Sequence, residues 1–93
     1  MSVVIFGKDF CNWCDRAVEV CNQYGLEYTY KSLDDRFTGK SFKTELKELA
    51  LKESITVNTV PQIWWNGKYI GGYNDLINSI ENTREYAKEV SNG

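Results

Sequence analysis

Two cysteines, in the run Cys11-Asn12-Trp13-Cys14, have the spacing that thiol chemistry requires. A thiolate is a strong nucleophile, and a thiol three positions later can displace the bond that the first one forms. The pair follows an apolar, strand-like run at residues 3–6 and precedes an amphipathic helix pattern that runs to Tyr24. A Cys-x-x-Cys at a strand-to-helix turn predicts a dithiol redox site.

The predicted helix start explains why Cys11 is the nucleophile. The first N–H groups of a helix have no intrahelical partner, and the helix dipole is positive there, so a thiolate is favoured. An ordinary cysteine is only ~3% thiolate at pH 7, and lowering its pKa by about two units takes about 2.7 kcal/mol. A helix N-terminus supplies ~1–2 kcal/mol of this, and Lys8 and Arg16 add positive charge. We expect Cys11 to titrate well below Cys14.

A metal site is the competing interpretation of the cysteines. A structural zinc site needs four ligands, whereas the chain has three cysteines and no histidine. A thiolate or imidazole zinc site within one chain is therefore not expected, although the count leaves open a cluster shared by two chains. The third cysteine, Cys21, shares the apolar face of the predicted helix with Cys14 and Ala17, which predicts a buried core residue.

Composition excludes several classes of function. With 93 residues the chain is predicted to form one domain, residues 1–93. Its net charge of −2 argues against nucleic acid as the main partner, since phosphate binding needs a basic surface. No apolar run approaches the ~20 residues that span a bilayer. The N-terminus has no basic, apolar leader pattern, so a cytoplasmic protein without membrane attachment is expected.

The remaining patterns predict an α/β fold in the order β-α-β-α-β-β-α. The strand at 2–7 and the helix at 12–24 are followed by an alternating strand at 27–32 and a second helix at 41–53. Two strands, 61–65 and 68–70, are then joined by Asn66-Gly67, a strong hairpin signal. The last element is a helix at about 75–88, capped by Asn74 or Asp75. A crossover pair followed by a hairpin predicts a four-stranded mixed sheet with helices on both faces.

This order, with the dithiol after the first strand, resembles the thioredoxin fold in its minimal form. Two further segments narrow the resemblance: Thr59-Val60-Pro61-Gln62-Ile63-Trp64 is similar to the Thr-Val-Pro-Gln-Ile-Phe segment of glutaredoxins, and Gly71-Gly72-Tyr73-Asn74-Asp75 to their Gly-Gly-x-x-Asp segment. Lys8, three residues before Cys11, fits the same pattern. The chain thus resembles a dithiol glutaredoxin, with similarity to the short bacteriophage-type members.

The resemblance implies roles for individual residues. Cys11 would be the nucleophile and Cys14 the resolving thiol. The residues implied to bind glutathione are Lys8 at its glycine carboxylate, Thr59, Val60 and Pro61 along its peptide, and Tyr73 and Asn74 at its γ-glutamyl end. Gly72 lets the ligand backbone approach closely, and Trp13 offers an apolar wall beside the sulfur. The resemblance also implies a cis Val60–Pro61 bond.

The resemblance implies an activity as well. Glutaredoxins use glutathione as reductant, without a tightly bound cofactor, to reduce protein disulfides and glutathione mixed disulfides. The implied partners are glutathione and disulfide-containing proteins, with ribonucleotide reductase a family expectation for dithiol members. We expect a monomer.

One departure from the family pattern keeps an alternative open. The second motif residue is commonly Pro in dithiol glutaredoxins but is Asn12 in this chain, and glutaredoxins without that Pro sometimes bridge an iron–sulfur cluster between two chains with glutathione. The alternative function is therefore a cluster carrier, with Cys11 as the cluster ligand. A protein disulfide reductase of the thioredoxin type is a third class, but the Trp-Cys-Gly-Pro-Cys run typical of it is absent.

Overall fold

The order of secondary-structure elements confirms the sequence prediction. The computed structural model describes residues 2–34, 39 and 41–92, with the side chains of the last helix described as far as residue 83. Its elements are β1 (Ser2–Gly7), α1 (Asn12–Gln23), β2 (Glu27–Ser32), α2 (Lys43–Lys52), β3 (Gln62–Trp65), β4 (Lys68–Gly71) and α3 (Tyr73–Asn92).

The four strands form one mixed sheet, as predicted, and their spatial order is β2-β1-β3-β4. β1 pairs in parallel with β2 and antiparallel with β3, which continues into the β3–β4 hairpin. Asn66 and Gly67 both have positive φ, at 53° and 80°, as the favoured two-residue hairpin turn requires. This topology places the C-terminal ends of β1 and β2 and the start of β3 at the same end of the sheet, where α1 begins.

Helices cover both faces of the sheet. Successive side chains of β1 point to opposite faces, so this one strand contributes to the core on each side. Val3 and Ile5 pack with residues of α1 and α3 in one buried cluster. Phe6 packs with Leu46 of α2 and Trp64 in a second cluster on the other face. The predicted layers, with helices on both faces, are therefore confirmed. No helix in the described part of the chain is both long and apolar enough to cross a membrane.

The start of α2 differs from the sequence prediction. The helix begins at Lys43 rather than Ser41. The Ser41 hydroxyl donates a hydrogen bond to the Leu33 carbonyl at 2.7 Å and accepts one from the Lys43 N–H at 3.3 Å. These bonds tie Ser41 to the chain that leaves β2, so this serine lies before the helix and not within it.

The third strand and the last helix also have different bounds. β3 begins at Gln62 rather than Pro61, because proline has no N–H to donate to a sheet. α3 begins at Tyr73, two residues earlier than predicted, and extends to Asn92 rather than ending near residue 88. The reason for the early start is a backward-reaching carboxylate, which belongs to the site described next.

Candidate active site

The two thiols of the Cys-x-x-Cys run differ in exposure. Cys11 is partly exposed and Cys14 is fully buried, and both are free thiols. Cys11 caps α1 from an extended conformation, with φ −113° and ψ 108°, and its Sγ accepts a hydrogen bond from the Cys14 N–H at 3.2 Å. The structure therefore places the Cys11 sulfur at the N-terminus of α1, where a thiolate is favoured.

Exposed aromatic side chains flank Cys11. Phe10, with a positive φ of 57°, turns the chain into the helix and is 91% exposed. Trp13, on the first turn of α1, is 51% exposed. The Arg16 guanidinium lies 4.8 Å from the centre of the Trp13 ring, so a cation covers one side of this indole. The residues next to Cys11 thus present exposed apolar surface, and a cation lies over one of these aromatic rings.

The environment of Cys14 keeps that thiol protonated. Burial raises the pKa of Cys14 to about 11, and a hydrogen bond with Cys11 acts in the same direction. Opposing contributions to the pKa of Cys14 come from the Lys8 backbone N–H and the Tyr30 hydroxyl, which both favour its thiolate. At neutral pH Cys14 therefore holds its proton, which suits a thiol that acts second.

A pocket of about 190 Å³ contains most of the residues that the sequence singled out for glutathione. The Val60–Pro61 peptide bond is cis, as the resemblance implied. The pocket combines the first turn of α1, the cis-proline segment and the start of α3, and its lining residues are Trp13, Thr59, Val60, Pro61, Gly72, Tyr73, Asn74 and Asp75.

The walls of this pocket are aromatic on one side and main chain on the other. The rings of Trp13 and Tyr73 are 5.5 Å apart between centroids. A Cβ added to Gly72 would lie 3.6 Å from the Pro61 carbonyl oxygen, so the α3 start and the cis-proline segment are close neighbours. The Gln62 side-chain amide donates to the Thr59 carbonyl at 2.8 Å, which holds the loop before β3 in place.

Asp75 is a pocket residue for which the sequence predicted only a capping role. Its Oδ2 accepts a hydrogen bond from the Gly72 N–H at 2.9 Å, so the carboxylate reaches back across the first turn as in half of a capping box. Gly71 has a φ of 114°, and a Cβ there would overlap the Asp75 carboxylate. The sequence signal for this contact is an acidic residue at the third position of a helix, where its carboxylate can reach back to the N–H of the capping residue.

Lys8 is the one predicted glutathione residue outside this pocket. Its side chain is exposed and does not line the pocket, whereas its main chain faces the dithiol: its carbonyl accepts a hydrogen bond from the Tyr30 hydroxyl at 3.2 Å. A contact between the Lys8 ammonium and glutathione stays a prediction. Tyr30 itself has no motif that would have identified it from the sequence.

Metal ligands are not grouped in the part of the chain that the structure describes. Within it, no set of three or more His, Cys, Asp or Glu side chains could hold an ion.

Comparison with known proteins gives a consistent result. The glutaredoxin family profile matches residues 3–70. Glutaredoxin-C4 of Arabidopsis thaliana is 35% identical over 85% of this chain and 55% of its own length, and glutaredoxin 1 of Escherichia coli is 37% identical over 82% of this chain and 88% of its own. The chain therefore spans little more than half the length of the Arabidopsis relative.

Solved structures include a similar protein with a ligand. The crystal structure of a buckwheat glutaredoxin–glutathione complex superposes with a TM-score of 0.65 at 27% identity, covering 87% of this chain and 69% of the buckwheat chain. The thioredoxin-type topology, the dithiol at the helix start and the match over residues 3–70 lead to one assignment. The chain belongs to the glutaredoxin family.

Proposed function

We propose that this chain is a glutathione-dependent thiol–disulfide oxidoreductase in which Cys11 is the nucleophile and Cys14 the resolving thiol. One observation carries the proposal: a partly exposed sulfur at a helix N-terminus lies one turn from a buried thiol whose pKa is raised to about 11. The two thiols thus have distinct roles before any substrate binds, because one is accessible and the other keeps its proton.

The pocket near the dithiol offers main-chain and side-chain groups that suit glutathione. Glutathione is an extended peptide with a carboxylate at each end and an ammonium on its γ-glutamyl part. The main chain of Val60 can pair with such a peptide as an added strand. The first turn of α3 presents N–H groups to a carboxylate, and Asp75, at the same end of the pocket, has the charge that an ammonium needs. The glutathione complex of the buckwheat relative supports this choice of ligand.

The proposed cycle begins with a protein disulfide. The Cys11 thiolate attacks one sulfur, the substrate S–S bond breaks, and the departing sulfur takes a proton. Cys14 then gives up its proton and attacks the Cys11 sulfur, which releases the second substrate thiol and leaves a Cys11–Cys14 disulfide. Two glutathione molecules reduce this bond in turn and leave as glutathione disulfide.

A glutathionylated protein requires only the first half of this chemistry. Cys11 attacks the glutathione sulfur and the protein thiol departs. A second glutathione then attacks the glutathionyl sulfur on Cys11, which frees the Cys11 thiolate and releases glutathione disulfide. Cys14 takes no part in this route. The two kinds of substrate therefore separate the roles of the two cysteines.

The decisive experiment traps the intermediate. We expect Cys14→Ser protein, mixed with glutathione disulfide, to gain one glutathionyl group, mapped to Cys11 by mass spectrometry. The same variant should keep deglutathionylation and lose reduction of protein disulfides, whereas Cys11→Ser should lose both. Absence of the adduct, or equal losses in the two variants, would refute the proposed roles.

The alternative is a binding function, in which Cys11 of two chains and two glutathione molecules hold an iron–sulfur cluster. The observation that favours it is the exposed Asn12 at the first position of α1, where no proline ring stiffens the helix start. Anaerobic purification followed by visible absorption spectroscopy and gel filtration tests it. A coloured, glutathione-dependent dimer would favour the carrier, and a colourless monomer the oxidoreductase.

We further propose that the chain acts as a monomer on disulfide-containing proteins in a reducing compartment such as the cytoplasm. The support for a reducing compartment is the cysteine count, since three is an odd number and a secreted disulfide framework uses an even one. Trapping with the Cys14→Ser variant in a cell extract tests the substrate class, because protein thiols captured on Cys11 are released by a reductant and can be identified.

A further inference from the structure

A tyrosine hydroxyl lies beside the buried thiol of the active site. Tyr30 is on β2, paired in parallel register with Ile5 of β1, and its side chain packs against the cluster formed with α1 and α3. Its hydroxyl donates a hydrogen bond to the Lys8 carbonyl at 3.2 Å, directly after β1 ends. The hydroxyl thus reaches from the second strand into the turn that holds the dithiol.

Gly7 provides the space in which this hydroxyl meets the sulfur. A Cβ added to Gly7 would lie 2.8 Å from Tyr30 Cζ and 2.9 Å from Cys14 Sγ, and it would overlap the Tyr30 hydroxyl itself. Both groups therefore occupy the volume that any side chain at position 7 would fill. The last residue of β1 is a glycine because of this close approach, since its φ is not positive and imposes no such requirement.

We propose that Tyr30 is a third functional residue of the active site, whose hydroxyl donates a hydrogen bond to the Cys14 sulfur when that sulfur becomes a thiolate. The proposal rests on the proposed oxidoreductase function and adds a group that acts only in the resolving step. The hydroxyl has one proton and two neighbouring acceptors, the Lys8 carbonyl and the Cys14 sulfur. It turns from the first to the second as charge appears on the sulfur.

In the resolving step Tyr30 stabilises charge on Cys14 without giving up its own proton. Cys14 loses its proton to water, the thiolate attacks Cys11 Sγ, the Cys11–Cys14 bond forms, and the bond from Cys11 to the substrate sulfur breaks. The substrate leaves as a thiolate and takes up a proton from water. Tyr30 keeps its own proton throughout and lowers the energy of the buried thiolate, which has otherwise lost its hydration.

The electrostatic environment of Tyr30 favours the protonated hydroxyl, which can donate a hydrogen bond. Burial raises the pKa of Tyr30 above its ordinary value, and Cys14, Cys11 and Asp15 raise it further. The hydroxyl therefore keeps its proton at neutral pH. In return, the Tyr30 hydroxyl lowers the pKa of Cys14, against the larger effect of burial.

The test compares Tyr30→Phe with Tyr28→Phe as a matched control. Tyr28 lies two residues earlier on β2 and packs partly buried against the same cluster, so both variants lose one hydroxyl from one face of one strand. All proteins also carry Cys21→Ala, which leaves Cys11 and Cys14 as the thiols. A stoichiometric amount of an aromatic disulfide, dithiobis(nitrobenzoate), releases one coloured thiolate when Cys11 attacks and a second when Cys14 resolves, both followed by stopped flow.

We expect Tyr30→Phe to leave the first phase unchanged and to slow the second. Loss of a hydrogen bond to a charged group raises a pKa by about one unit, and the greater nucleophilicity of the more basic thiolate offsets about half of that, so the resolving rate falls about threefold near neutral pH. The pH at which the second phase reaches half its maximal rate should rise by about one unit. Tyr28→Phe should change neither phase.

Three results would overturn the proposal: an unchanged second phase in Tyr30→Phe, equal slowing of both phases, or the same slowing in Tyr28→Phe. Failure of the proposed function would look different: the parent protein would release no second thiolate, or Cys14→Ser would form no glutathione adduct. Reduction of a glutathionylated peptide, which needs Cys11 alone, should proceed at the parent rate in Tyr30→Phe.

Discussion

Cys21 allows the effect of burial on a thiol to be measured away from the chemistry. It lies on α1, fully buried in the cluster between the sheet and the helices α1 and α3, as the sequence predicted. Burial raises the pKa of Cys21 from 9.0 to about 11. The perturbation is a change of pH from 7 to 10, applied to the parent protein and to Cys21→Ala.

The sign of the effect follows from which state holds the proton. Below pH 9 both the folded and the unfolded chain carry the Cys21 thiol, so its contribution to stability is fully present. As the pH rises between 9 and 11 the unfolded chain releases this proton first, which favours unfolding. With pKa values of 9.0 and about 11, the loss at pH 10 is about 1.4 kcal/mol, and it approaches about 2.7 kcal/mol well above pH 11.

Urea denaturation under reducing conditions at pH 7, 8, 9 and 10 measures this loss. Cys21→Ala lowers the free energy of unfolding at every pH, because it leaves a small cavity, but that offset does not titrate. Ionisation of the tyrosines and of Cys14 is common to both proteins and cancels. We expect the parent to lose about 1.4 kcal/mol more than Cys21→Ala between pH 7 and pH 10. Two parallel stability curves would refute the reasoning, since they would show that Cys21 titrates alike in the folded and unfolded chain.

Three further predictions concern the pocket and the second core cluster. Gly71→Ala should lower the free energy of unfolding by about 1–3 kcal/mol, measured by thermal unfolding. Gly25→Ala is the control, because Gly25 also has positive φ but has open space around it, so this variant carries the backbone strain without the overlap with Asp75. Asp75→Asn should keep the hydrogen bond and weaken glutathione binding about two- to fivefold by calorimetry, whereas Asp75→Ala should also lower stability by about 1 kcal/mol. The Trp64 indole donates to Glu53 at 2.8 Å, so Glu53→Ala should cost about 1–3 kcal/mol of unfolding free energy, and Glu53→Gln distinctly less.

The pocket was predictable because its residues belong to short, contiguous patterns. The cis-proline segment and the double glycine each carry a resemblance in five or six consecutive residues, and a crossover and a hairpin predict a mixed sheet. In the observed strand order β3 lies beside β1, which brings the starts of α1, β3 and α3 together at one end of the sheet. Eight residues line the pocket, and for seven of them the sequence predicted a contact with glutathione.

The start of α3 was mispredicted because two capping patterns look alike in sequence. An acidic residue can cap a helix from before its first turn, or reach back to the capping residue from the third helical position. Asp75 does the second, with its carboxylate on the Gly72 N–H. The difference matters for function, since it moves Tyr73 and Asn74 from a loop into the first turn of the helix, where their N–H groups point towards the pocket end.

Tyr30 could not be found from the sequence because its role depends on register. In a parallel pair, the partner of a residue on β1 is set by how the crossover helix returns the chain, and a slip of one residue would turn every side chain of β2 to the other face. The observed register pairs Gly7 with Ser32 and Ile5 with Tyr30. Only with that pairing does the Tyr30 side chain pass over Gly7 and reach the sulfur of Cys14. If the proposed roles hold, the nucleophile is specified locally, by a helix start, whereas the resolving thiol is tuned by a long-range contact across the sheet.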